Sequence, residues 1–157
     1  IGDDFDLELY RRAMGANLDG VVFGAHAVLP ALRERGGGAI VATSSLAGLT
    51  GVPLDVIYSA NKHAVVGFVR ALGPAVAHEG IRVNAICPGF AESALVAPIR
   101  DALVDAGFEI IPAEDVAAVV LDLFAGDMAG ECWFVQPGRV AAFQFRSVPG
   151  PRKQPAA

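Results

Sequence analysis

Tyr58 and Lys62 stand four residues apart, a spacing that puts a phenol and an ammonium on one face of a helix about one turn apart. A free phenol has a pKa of about 10, too high for a base near neutrality, and each unit of lowering takes roughly 1.4 kcal/mol of preferential stabilisation of the phenolate. A lysine cation in a partly dehydrated cleft can supply that stabilisation. The same spacing also describes a surface tyrosine beside a solvated lysine, so the pair is weak evidence alone. Ser45 lies thirteen residues ahead of Tyr58, in SSLAG, directly after the apolar run AIVAT. Open α/β sheets place ligands and reacting groups beyond the carboxyl ends of such strands, where a hydroxyl can hold a substrate oxygen beside the phenol. Ser44 and Ser45 can equally cap the turn that follows.

Positioning these groups takes a strand ahead of Ser45 and a helix beneath Tyr58 and Lys62. From Asp6 to Arg35 apolar residues recur at helical spacing, with Leu7, Tyr10, Met14 and Leu18 on one face, which predicts two short helices or one bent helix. Pro30 gives up one backbone bond there, so a kink is expected at that turn. Gly36, Gly37 and Gly38 then stop the helix, and AIVAT at 39–43 reads as a strand buried on both faces. A second helix is predicted from Val56 to His78, buried through Ala64, Val65, Phe68, Val69 and Leu72, with Gly73 and Pro74 weakening its end. RVNAICPG at 82–89 is a strand running into a Pro-Gly turn, 114–124 an amphipathic helix, and GECWFV at 130–135 a third strand. Strands separated by helices of this length imply parallel pairing, hence an α/β fold with helices on both faces.

A chain of 157 residues with 54% apolar side chains has enough material for one globular domain with a sizeable core. The formal net charge of −5 and scattered basic residues argue against nucleic acid or an anionic membrane as partner. With only Cys87 and Cys132, no CxxC pair and three His, neither a disulfide framework nor a metal site is indicated, and a reduced, cytoplasmic compartment is expected. The opening, IGDDFDLELYRR, is acidic and amphipathic rather than signal-like, and no apolar run reaches the roughly 18 residues of a membrane span.

Asn17, Ser45 and Tyr58-x-x-x-Lys62, followed by IRVNAICPG at 81–89, resemble the short-chain dehydrogenase/reductase family in order and spacing. The resemblance runs from the helix carrying Asn17 through GECWFV. It implies a Rossmann-like, doubly wound parallel sheet over 1–138, a substrate lid at about 90–111 and a C-terminal tail over 139–157. It further implies an NAD- or NADP-dependent oxidoreductase moving hydride between the nicotinamide and a secondary alcohol or carbonyl compound. Tyr58 would then be the general acid/base and, with Lys62, part of the cofactor-binding site; Lys62 would stabilise its phenolate and hold the nicotinamide ribose, and Ser45 would orient the substrate oxygen. Asn17 would anchor a water that passes protons to Lys62, although an Asn inside a helix can simply bond the backbone. Pro88 and Gly89 match the family's turn beneath the nicotinamide, and Ser93 stands where a Thr usually contacts the carboxamide. Phe90, Leu95, Val96, Pro98 and Ile99 would form the lid, whose apolar character leans toward a hydrophobic substrate.

The departures from the family pattern are also specific. No glycine-rich turn follows a strand and opens a helix, and Gly36–Gly38 precede a strand, so the dinucleotide-binding segment and first strands of the fold are expected to be missing. Pro74 falls where the family's helix usually continues, and Gln136-Pro137-Gly138 where many members have Asp-Gly-Gly. Family members commonly pair through the two long helices, which implies a homodimer or homotetramer; the stripe Val65, Val66, Phe68, Val69 suits that pairing and core packing equally. Two other possibilities are an epimerase or dehydratase of the extended branch, disfavoured by the short region after Gly89, and a truncated or non-catalytic relative without activity.

Overall fold

The computed structural model describes residues 5–147; residues 148–157 of the expected tail lie outside the described part. Asp6 opens the first helix, its carboxylate accepting the backbone N–H of Glu8 and Leu9 at 2.8 and 3.0 Å. The segment expected to be helical from Asp6 to Arg35 is α1 (Leu7–Met14) and α2 (Gly20–Glu34), joined by a π-helical turn over Gly15–Asp19. The kink expected at Pro30 does not interrupt α2. Pro30 and His26, whose carbonyl loses its donor, are both exposed, so water can bond that carbonyl. The irregularity falls instead at the π turn, and Asn17 is in it.

Strand β1 (Gly38–Thr43) runs into a single 3-10 turn at Leu46–Gly48, and helix α3 (Val56–Val76) carries Tyr58 and Lys62. Pro74 does not end α3, which continues two residues beyond it. Strand β2 (Ile81–Pro88) is followed by a short 3-10 turn, α4 (Arg100–Asp105), α5 (Ala113–Ala125), β3 (Cys132–Gln136) and β4 (Arg139–Ala142). The sheet order is β1-β2-β3-β4. β1 and β2 pair in parallel from Gly38↔Ile81 to Thr43↔Ile86, and β2 and β3 from Ala85↔Cys132 to Pro88↔Val135.

β4 corrects the expectation of a tail from 139 onward and of purely parallel pairing. It turns back antiparallel on β3, with Gln136 opposite Arg139, and Pro137 and Gly138 form the two-residue turn. Gly138 has φ +66, a conformation few other residues adopt, so the Pro-Gly pair that departs from the family pattern is here a hairpin turn.

Strand alternation divides the interior into two cores. Val83, Ala85, Cys87, Cys132 and Phe134 pack with Val65, Val66, Val69 and Val76 of α3 and with Val21, Leu29 and Leu32 of α2. On the other face Ile86 and Val135 pack with Val119 and Leu123 of α5 and with Ile111. Helices thus cover both faces of a mostly parallel sheet, the expected α/β architecture. Of the stripe Val65, Val66, Phe68, Val69, the three valines are committed to the first core, with Val65 and Val69 at 0% exposure, while Phe68 is half-buried at its margin.

Candidate functional site

The carboxyl ends of β1 and β2 lie side by side, and most of the residues singled out by the sequence lie at or beside them. Asp55 caps α3, accepting the Tyr58 backbone N–H at 2.9 Å, and Ser59 Oγ accepts Val52 N–H at 2.9 Å. These two bonds pin the entry into α3, so Tyr58 occupies a fixed place in its first turn. One turn on, Lys62 Nζ lies 5.6 Å from the Tyr58 ring centroid and donates to the Thr43 carbonyl at the end of β1, at 3.1 Å. Lys62 is only 7% exposed, and burial pushes its ammonium below the ordinary lysine value. The nearest thiol does not offset this: contact with Cys132 together with burial pushes Cys87 up, so it stays protonated and brings no negative charge.

The capping role that the sequence leaves open falls to Ser45, while Ser44 does something else. Ser44 is buried and its hydroxyl donates to the Lys62 carbonyl at 3.0 Å, bracing α3 against the end of β1. Ser45 caps the 3-10 turn, its oxygen accepting Ala47 N–H at 3.2 Å, while its proton faces the Pro88 carbonyl at 3.5 Å. At that length the second bond is weak, which leaves the hydroxyl proton nearly free for another acceptor.

Asn17 shows the backbone-bonding alternative directly: its side-chain amide donates to the carbonyl of Ala13, four residues earlier, at 3.1 Å. It also lines, with Lys62 and Thr43, a groove of about 460 Å³ that runs between α2 and β1. Gly89, at the end of β2, is held by its N–H on the Val135 carbonyl at 2.9 Å. Ser93 is not brought to this group; it is exposed, bonds Ala91 O at 3.1 Å and accepts Val96 N–H at 3.3 Å within its own turn. In the expected lid, Phe90 meets Phe108 edge to face at 5.2 Å between centroids, Leu95 and Ile99 are exposed, and Val96 is buried.

Three contributors escape a sequence reading centred on the four-residue motif. The Thr43 carbonyl and Ser44 act through backbone or buried bonds that no spacing announces. Asn84, at 0% exposure, donates to the Met128 carbonyl at 2.6 Å and accepts Glu131 N–H at 3.0 Å, tying β2 to the loop before β3. Its signal was present: an amide in the middle of a strand buried on both faces must find partners.

Gly48 makes the close packing of this site possible. A Cβ there would collide with Ser44 Oγ and lie 2.6 Å from the Lys62 carbonyl oxygen. Gly48→Ala is therefore expected to destabilise the fold by about 1–3 kcal/mol, because α3 must shift at Lys62. Thermal unfolding checks this, and an unchanged melting temperature would contradict it.

The short chain dehydrogenase family matches residues 3–103. Cyclohexanol dehydrogenase of an Acinetobacter species is 38% identical over 100 residues, covering 64% of this chain and 40% of its own. The 2-keto-3-deoxy-L-fuconate dehydrogenase of Xanthomonas campestris is 40% identical over 87 residues, covering 55% of this chain and 29% of its own. Among solved structures, a gluconate 5-dehydrogenase from Burkholderia cenocepacia, in complex with NADP and tartrate, superposes with a TM-score of 0.80 at 27% identity, over 87% of this chain and 58% of that one. The chain thus spans well under half the length of these curated relatives.

Proposed function

This chain belongs to the short chain dehydrogenase family, and on that premise we propose that it carries the proton-transfer centre of an NAD- or NADP-dependent oxidoreductase acting on a secondary alcohol or the corresponding carbonyl compound. The observation that carries the proposal is the placement of Lys62, buried, bonded to Thr43 O at 3.1 Å and 5.6 Å from the Tyr58 ring. A buried ammonium is costly unless it serves a partner, and here the nearest aromatic partner bears an ionisable hydroxyl.

A cation and two hydroxyls around the carboxyl ends of two parallel strands suit a ribose and a carbonyl oxygen as ligands. Tyr58 gives its proton to the substrate oxygen in reduction and takes it back in oxidation. Lys62 stabilises the charge left on the phenol oxygen and donates to the ribose hydroxyls. Ser45 turns its proton from the Pro88 carbonyl to the substrate oxygen, where it stabilises developing charge. Asn17 holds a water through which Lys62 exchanges protons with solvent. Pro88 and Gly89 would flank the nicotinamide, and Ser93, which bonds Ala91 O and Val96 N–H in its own turn, would contact the carboxamide only after leaving those bonds. The nicotinamide, when bound, supplies or accepts the hydride. Exposed Leu95 and Ile99 of the lid favour an apolar substrate. A cytoplasmic homodimer or homotetramer completes this reading.

Consumption of NADH or NADPH by the protein that carries this chain, in the presence of a panel of aliphatic and cyclic ketones, tests it. We expect turnover with at least one nucleotide, and Ser45→Ala is expected to lower kcat by about a hundredfold, the scale of losing one oxyanion donor. No consumption of either nucleotide across the panel would overturn the proposal.

A further inference from the structure

We propose that Asn61 is a positioning residue that locks the Asn17-bearing π turn onto the catalytic helix. The inference rests on the oxidoreductase reading above and deepens it. Asn61 immediately precedes Lys62 on α3, inside the motif but at one of its unspecified positions. Its side-chain Nδ2 crosses to the first helix and donates to the Ala13 carbonyl at 3.0 Å. That same carbonyl accepts Asn17 Nδ2 at 3.1 Å. Two amides from different elements therefore converge on one oxygen at the entrance to the π turn.

The arrangement is more than helix packing. Asn61 is 1% exposed, and its Oδ1 is the one buried side-chain atom without a hydrogen-bond partner among the described residues. For packing alone an apolar side chain of similar volume serves better, since it leaves no buried acceptor unpaired. What the amide provides in return is a directional bond between the two elements that carry the relay residue and the acid/base pair. π turns are single wide turns inserted in a helix and are frequent at functional sites, and this one carries Asn17. With Ala13 O fixed by Asn61, the Asn17 side chain has a fixed anchor, and Asn17 and Lys62 keep their places in the same groove. Small displacements of relay groups have large effects on rate, which is how Asn61 acts without touching substrate.

Asn61→Leu removes the donor and the unpartnered oxygen together, and Asn61→Asp keeps the shape while replacing the donor by an oxygen. Measured in the protein that carries this chain, both are expected to lower kcat by about tenfold or more while KM for the nucleotide stays within about twofold. Asn61→Leu is expected to melt at or above the wild-type temperature. Combined with Asn17→Ala, neither should add a further loss, because both act through one bond network. A folded Asn61→Leu protein with wild-type kcat, or losses that multiply with Asn17→Ala, would overturn the inference; if the Leu variant does not fold, the Asp variant decides by the same criteria. Failure of the underlying reading is separately visible, as a wild-type protein that turns over no carbonyl compound with either nucleotide.

Discussion

Tyr58→Phe is expected to reduce turnover by about a thousandfold, within the range for removing a general acid/base, while leaving nucleotide binding and the melting temperature almost unchanged. The selectivity follows from how the residue is held. Its backbone N–H is fixed by the Asp55 carboxylate, its ring is half-buried beside Lys62, and both features survive loss of the hydroxyl. Only the exchangeable proton disappears. Single-turnover kinetics with saturating NADPH or NADH, beside calorimetric titration of the same nucleotide, separate chemistry from binding. A variant that retained a tenth or more of wild-type activity would remove Tyr58 from the proton-transfer step.

Lys62→Met is expected to lose at least about a hundredfold in kcat and yet to gain roughly 1 kcal/mol of stability at neutral pH. Burial lowers the folded-state pKa of Lys62 below the 10.5 of an ordinary lysine. Between those two values the unfolded chain binds more protons than the folded one, so the contribution of this side chain to stability rises with pH through that window. Below the folded value the full penalty of the buried ammonium is present, and it is this penalty that Met removes. The Thr43 carbonyl loses its donor, but Thr43 is exposed and water replaces it. Chemical unfolding of both proteins at neutral and alkaline pH checks the sign: the advantage of Met should shrink as pH rises. A variant less stable than wild type at neutral pH would show that Lys62 stabilises the fold and is not maintained there for function. Residues that lower stability while serving chemistry are a recurrent property of active sites.

Much of this architecture was legible because it rests on periodicity. The nearly continuous apolar run in IRVNAICP marks a strand covered on both faces, the helical spacing under Tyr58 and Lys62 marks a helix with one buried face, and both elements formed where expected. The π turn was not legible, since no residue type marks it and GANLD continues the helical pattern. β4 was missed because Arg139–Ala142 is only four residues long and half of it is exposed at the sheet edge, although Pro137-Gly138 before it is a turn signal. The ambiguity between Ser44 and Ser45 could not be resolved from spacing, because neighbouring residues on an extended backbone point to opposite sides and the direction of neither is encoded locally. The valine stripe of α3 was ambiguous for a similar reason: an apolar face specifies burial, and its partner, here β2 and β3, is a matter of tertiary structure.

The most direct test follows hydrogen itself. The protein is incubated with reduced nicotinamide nucleotide deuterated at C4 and a ketone that it consumes, and the alcohol is analysed by mass spectrometry, with Tyr58→Phe in parallel. The account predicts deuterium on the carbinol carbon in the wild-type product and almost none formed by the variant in the same time. Alcohol formed without deuterium from either face of the nucleotide, or formed equally fast by Tyr58→Phe, would contradict it.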